Sequence, residues 1–354
     1  MTIRTLLPNA LRAVHAGLVV IAAIVLTACA SDTGRPARSI VGQTDRSNVD
    51  QAFDILIRRQ DRVYRVITPL LVKNTALCKS SARPLLGFTA KNRYSYSAEL
   101  RAAAESRLKL GDALQVLQVL DGSGAMRAGI KRGDVLQSIE GQSVPQGDQA
   151  ETEAAKLVLP LMRNATELEV ALSRNGVPTV LKVLLTPACA FAVEIGNAPH
   201  VNTYNDGRRI MMTAGMLDVL SDAELAIVLA REVAHGSLRH ARTMQMTSTL
   251  AGVIDALLTI RPDLSGFAGS AGIKPMDARL DQEADRIALY MLARAGFDPA
   301  LAPRTLEKLS LAYPATVTNS YTAHHPWTAE RASLMQATLT EIRQKQATRK
   351  SLLP

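Results

Sequence analysis

Apolar positions along this 354-residue chain change rhythm several times, and each rhythm predicts a different element. From Ala16 to Leu26 they run almost unbroken behind the basic residues Arg4 and Arg12. Residues 30–48 then carry Ser, Asp, Gly, Arg and Thr with almost nothing apolar, the composition of a flexible tether. Glu167–Leu172 and Val180–Leu185 alternate apolar and polar side chains, which predicts two strands joined by a hairpin turn at Asn175-Gly176. A helix is expected near Glu151–Leu161 before them. Beyond them, Leu225, Val228, Leu229 and Val233 recur at helical spacing, opened by Ser221 and Glu224 as a capping box. Pro262, Gly266, Gly269, Gly272 and Pro275 make 262–277 an interruption between two helical patterns. Met244–Met246 before it reads as core filler.

The chemistry sits on the capped helix. Residues 231–235 read R-E-V-A-H, a zinc-protease pattern in which Arg231 takes the place of the first histidine. In H-E-x-x-H the two histidines share one helix face and grip the metal, while the Glu polarises the attacking water. A guanidinium has no lone pair to offer a cation. Further segments accompany this one: N-T-Y-N-D-G-R-R-I-M-M-T-A-G-M-L (Asn202–Leu217), D-Q-E-A-D-R-I-A-L-Y-M-L-A-R-A-G-F-D-P (Asp281–Pro299) and H-H-P-W-T-A-E-R (His324–Arg331). Together, over residues 188–345, they resemble the HtpX and CAAX-prenyl-protease type of zinc metallopeptidase, in its periplasmic lipoprotein branch.

That resemblance implies zinc ligands at positions 231, 235 and 281, with Glu232 as general base. His235 is retained, Arg231 occupies the lost ligand position, and Asp281 replaces the family's Glu. Asp is a legitimate zinc ligand but one methylene shorter, and zinc–oxygen distances are confined to about 2.0–2.2 Å. Asp285, one helical turn on, matches the family's supporting acid, whereas Glu283 should face away. His325 matches a late histidine that approaches the metal in some members, and Ala288 stands where members carry Gly. The 262–277 segment would lie over the cleft as a gate in an active relative.

Two conformations of Arg231 are open. It can project inward and neutralise Glu232 and Asp281 as the metal did, or swing out to solvent. Hydrolysis would then need a site rebuilt from His235, Asp281 and His325. His240, five residues after His235 and about 140° round a continuing helix, should point elsewhere. His324 is a further neighbour, His200 reads as a loop histidine, and His15 leaves with the leader.

Residues 1–28 have the basic start, short apolar core and small-residue end of a secretory signal. The L-T-A-C ending resembles a bacterial lipobox, implying a lipid on Cys29, and Ala30 resembles lipoproteins sent to the periplasmic face of the outer membrane. Cys78 and Cys189 are then the remaining thiols, and in an oxidising compartment they are expected to pair. From Gly111 the chain reads G-D-A-L-Q-V-L-Q-V-L-D-G-S-G-A-M-R-A-G-I-K-R-G-D-V-L-Q-S-I-E-G-Q-S-V, which resembles a bacterial PDZ domain. Such a domain implies peptide binding by strand addition, with a carboxylate nest sought at Leu110 and Gly111.

Removing Arg4 and Arg12 with the leader lowers the formal charge from +9 to +7. Aromatics at 4% and the absence of a base-stacking or helix-turn-helix pattern argue against nucleic acid as partner. An anionic membrane surface suits the basic balance, as does plain solvation. The expected architecture is α+β: signal peptide 1–28, tether 29–48, helical segment 49–104, inserted PDZ-like β-rich domain 105–187, mainly helical zincin-like domain with a small sheet 188–345, and tail 346–354. Three functions remain open. One is a weak or inactive peptidase homologue that binds peptides or misfolded proteins in envelope quality control, and another is an active zinc endopeptidase with a rebuilt site. The last is a PDZ adaptor on a non-catalytic scaffold.

Overall fold

The computed structural model describes residues 40–199, 201–240, 259–261, 277–313 and 327–354. Cys29, His15, His200, His324, His325, Met244–Met246 and residues 262–276 lie outside the described residues. The architecture is mixed α and β. Helix α1 spans Ile40–Lys73 and so begins inside the segment read as a tether. Its apolar anchors start at Val49 and Phe53, and the helix continues N-terminally from them. α2 (Thr75–Cys78) and β1 (Ala82–Leu85) follow.

A six-stranded antiparallel sheet has the order β2-β3-β4-β6-β7, with β5 paired to β4. Its strands are β2 (Phe88–Lys91), β3 (Gln115–Val119), β4 (Val135–Ile139), β5 (Gln142–Ser143), β6 (Glu167–Arg174) and β7 (Val177–Leu184). Between them come α3 (Ala98–Leu108), α4 (Gly124–Ala128) and α5 (Ala150–Met162). The β6–β7 hairpin turns at Asn175 and Gly176, with φ of 51° and 82°, as the sequence foretells. β2 is a correction: it falls in the stretch read as helical, yet it forms the sheet edge against β3. All four of its residues are buried, so it shows no period-two alternation.

β8 (Thr186–Cys189) pairs with β1 in a separate two-stranded ladder and leads into a second sheet of order β10-β11-β9-β12. That sheet comprises β9 (Ala192–Gly196), β10 (Thr203–Asn205), β11 (Arg209–Thr213) and β12 (Thr259–Arg261). The helices beside it are α6 (Ala214–Val219), α7 (Asp222–Ser237), α8 (Ala278–Ala295), α9 (Ala302–Ala312) and α10 (Ala329–Ala347). α7 and α8 pack on each other, on the C-terminal half of α1 and on Phe191, Val193 and Ile210 from the sheet. The N-terminal half of α1 instead buries Phe53 and Ile57 against Tyr96, Ala103 and Leu117. One helix therefore joins both cores, and Asp61 on it receives Gln118 Nε2 at 2.9 Å and Arg132 at 3.0 Å.

Cys78 and Cys189 form a disulfide, with 5.6 Å between their Cα atoms, and both residues are fully buried. The C-terminal residues are held rather than free: Leu352 packs on the helical core and the Leu353 carbonyl accepts from Lys345 Nζ. Among the described residues no helix is long and apolar enough to cross a membrane.

Candidate functional site

α7 starts where its sequence says. The Ser221 hydroxyl accepts from the Glu224 amide and the Glu224 carboxylate accepts from the Ser221 amide, closing the capping box. With the helix so fixed, Arg231, Glu232 and His235 all face the interior, and each is at least nine-tenths buried. α8, capped by Asp277, presents Asp281 and Asp285 to the same interior from one face, one turn apart.

Arg231 lies inward and joins the two helices. Its Nη2 donates to Asp281 Oδ1 at 2.6 Å and its Nε to Asp285 Oδ1 at 3.0 Å. Burial opposes the charge, but Asp281, Asp285 and Glu232 together hold the guanidinium above its ordinary pKa. The expected inward partners were Glu232 and Asp281. Glu232 is instead held by β10, its carboxylate accepting from Thr203 Oγ1 at 2.8 Å and its backbone carbonyl accepting from Asn205 Nδ2. Asp285 takes its place because the two acids on α8 are spaced to receive separate nitrogens of one guanidinium. Arg331, at the start of α10, completes the group by donating Nε and Nη2 to Asp285.

His235 Nε2 lies 3.5 Å from Asp281 Oδ1. On the other side its Nδ1 sits 2.9 Å from Nδ1 of His240, so one ring donates and the other accepts. His240 was expected to point away, and the expectation failed because α7 stops at Ser237 and Arg239 turns left-handed at φ 60°. That turn folds His240 back under His235. Burial lowers the His240 pKa against the upward pull of Glu283, whose carboxylate is 3.5 Å from Nε2. Glu283 is half-exposed and does face away from Arg231 and its acids, pairing also with Arg279. Thr203, Asn205, His240 and Arg331 are the site residues that sequence reasoning left without a role. The N-T-Y-N and T-A-E-R segments were the available signals for three of them.

A zinc ion needs three protein donors around a free position. His235 Nε2 and Asp281 Oδ1 are separated as two ligands of a tetrahedral centre would be, but that oxygen is already bonded to Arg231 Nη2 at 2.6 Å. Among the described residues no group of three or more His, Cys, Asp or Glu side chains is placed to hold a metal ion. The described donors, with a guanidinium among them, do not fit zinc.

A concavity lies between the edge strand β2 and α5. Leu85, Leu86 and Phe88 form one wall, Ala154, Val158, Leu159 and Met162 the other, and Leu136, Ile139 and Val144 lie beneath. The space is about 600 Å³, including the part open to solvent. The chain enters β2 through Gly87 at φ +88°, where an added Cβ would come within 2.7 Å of the Ser123 Cβ. Leu110 and Gly111, the expected nest, lie elsewhere: Leu110 is buried beside α1 and the Gly111 carbonyl accepts from the Arg93 amide.

Two adjacent helices thus turn Arg231, Glu232 and His235, and Asp281 and Asp285, toward one interior beside a small sheet. Residues 179–339, less than half of the chain, match Peptidase family M48, a zinc-dependent family. The mitochondrial metalloendopeptidase OMA1 of Arabidopsis thaliana is 30% identical over 158 residues, 43% of this chain and 32% of its own length. The beta-barrel assembly-enhancing protease of Yersinia pestis is 39% identical over 105 residues, 25% of this chain and 22% of that protein. The protease HtpX homolog of Acidiphilium cryptum is 33% identical over 129 residues, 31% of this chain and 44% of that protein. The chain thus spans less than half the length of each of these relatives.

Proposed function

We propose that this protein is a lipid-anchored M48-family protein of the bacterial envelope that binds peptides or misfolded chains without hydrolysing them. The observation that carries the reading is the Arg231 guanidinium, bonded to Asp281 and Asp285 where the family pattern needs a metal donor. A hydrolytic centre polarises water beside Glu232, and a fixed cation with no open coordination position cannot deliver that water. The L-T-A-C sequence at Cys29 supports the anchor, and the relatives named for beta-barrel assembly support an envelope role.

Peptide binding falls to the groove between β2 and α5, in a unit we read as PDZ-like. β2 is an edge strand, its groove walls are apolar, and Gly87 turns the chain at its start, all features that suit an extended peptide added as a further strand. A working zinc endopeptidase is the second reading, favoured by the 3.5 Å spacing of His235 Nε2 and Asp281 Oδ1, with His325 as third ligand.

The test uses the chain lacking residues 1–28 with Cys29 replaced. Well under one zinc per chain, no casein cleavage, and binding of a peptide with a free apolar C-terminus are expected. Stoichiometric zinc with chelator-sensitive cleavage, lost in Glu232→Gln, overturns the first reading in favour of the second.

A further inference from the structure

The disulfide stands close to the groove. Cys189 ends β8 and pairs in register with Ala82, the first residue of β1. At the other end of the same ladder Leu85 pairs with Thr186, and Leu85 is already a groove wall. The strand between them covers about 10 Å at 3.3 Å per residue. The turn that follows is gripped from the same side. The Gly87 carbonyl accepts from the Leu120 amide at 2.8 Å and from Ser123 Oγ at 3.3 Å. Gly124, next in the chain, donates its amide to Thr186 Oγ1 at 2.9 Å. Thr186 therefore touches both halves of the grip, β1 on one side and the start of α4 on the other.

A two-stranded ladder four residues long has little stability of its own. This one belongs to neither larger sheet, and Cys189 bonds it to Cys78 on α2, which packs against α7. We propose that formation of the Cys78–Cys189 disulfide switches the groove into its binding-competent shape. The inference rests on reading the groove as a peptide site. In the dithiol state β1 frays, the Leu85–Gly87 turn loses its fixed position, and the ligand must pay to order it. The bond forms by exchange with an external disulfide: two thiols pass two electrons and two protons to the donor, which leaves as a dithiol. Because both cysteines are fully buried, the bond once made is shielded from reductants, so competence is acquired once, on entering an oxidising compartment.

The experiment compares four forms of the chain lacking residues 1–28, all with Cys29 replaced: the oxidised parent, Cys78→Ser with Cys189→Ser, Thr186→Val, and Leu159→Glu, which blocks the groove. The probe is a fluorescent eight-residue peptide ending in leucine with a free carboxylate, followed by anisotropy. The serine pair should bind about tenfold more weakly than the parent, and Thr186→Val several-fold more weakly with its disulfide intact. Leu159→Glu should abolish binding. No binding to the oxidised parent, or binding indifferent to Leu159→Glu, sinks the groove reading itself. Binding that needs Leu159 yet is equal in both thiol states overturns only the switch. Should the serine pair not fold, an unchanged affinity in Thr186→Val overturns it alone.

Discussion

Replacing Arg231 with Met keeps an unbranched apolar stem and removes the charge, leaving Asp281 and Asp285 buried at 1% and 2% exposure. Breaking a buried ion pair from one side costs about 3–5 kcal/mol, because the surviving charge stays desolvated. Asp285 retains Arg331, so the loss should sit near the lower end, at about 3 kcal/mol. For a cooperative unit of this size that is a fall in Tm of roughly 6–12 °C. The deficit should also depend on pH. With its cation gone, Asp281 takes up a proton more readily in the folded variant than in the unfolded chain, so stability falls as pH rises and the gap to the parent narrows as pH drops. Urea unfolding at pH 7.5 and pH 5 measures both effects, and Arg231→Met with Asp281→Asn should recover part of the loss at the higher pH. A loss under about 1 kcal/mol that is the same at both pH values would show that the guanidinium bears no weight in the fold.

Arg231→His should restore measurable zinc uptake, and Arg231→His with Asp281→Glu should bind more tightly; failure of both, in protein that stays folded by circular dichroism, means the cleft has been reshaped. Gly236→Ala brings a Cβ to 2.5 Å from the Phe191 ring. It should cost about 1–3 kcal/mol in a thermal melt, and no change would refute that contact. Lys308 and the Ser221 amide lower the Glu224 carboxyl from 4.5 to about 2. Its contribution is therefore complete above pH 4.5 and fades as pH falls toward 2, so Lys308→Met should cost up to about 1 kcal/mol at pH 7 and much less under acid. Thiol titration of the Cys29-replaced chain should find none until denaturation and reduction, then two.

Local signals carried well. The helix bearing Arg231 was legible because its cap and its 3.6-residue period lie in one continuous stretch, and the β6–β7 hairpin because Asn175-Gly176 favours the left-handed turn it adopts. Long-range partners did not. Arg331 and Asp285 are 46 residues apart, and Thr203 and Glu232 29 apart, with no periodicity linking them. His240 was misplaced because a helical wheel assumes the helix continues, whereas Arg239 leaves it in a conformation that no Gly or Asn announces. β2 and its groove were hidden because Phe88–Lys91 is buried on both faces and reads as neither strand nor helix.

The cation between α7 and α8 is tied to the backbone. A zinc ion in that place is on loan from solution: it is lost to chelators, competes with protons for its ligands, and depends on supply. The Arg231 guanidinium dissociates from its acids only if the helix carrying it unfolds, and it stays charged at every pH a cell reaches. The contact between α7 and α8 is therefore complete as soon as those helices fold, and its strength does not vary with the zinc available to the cell.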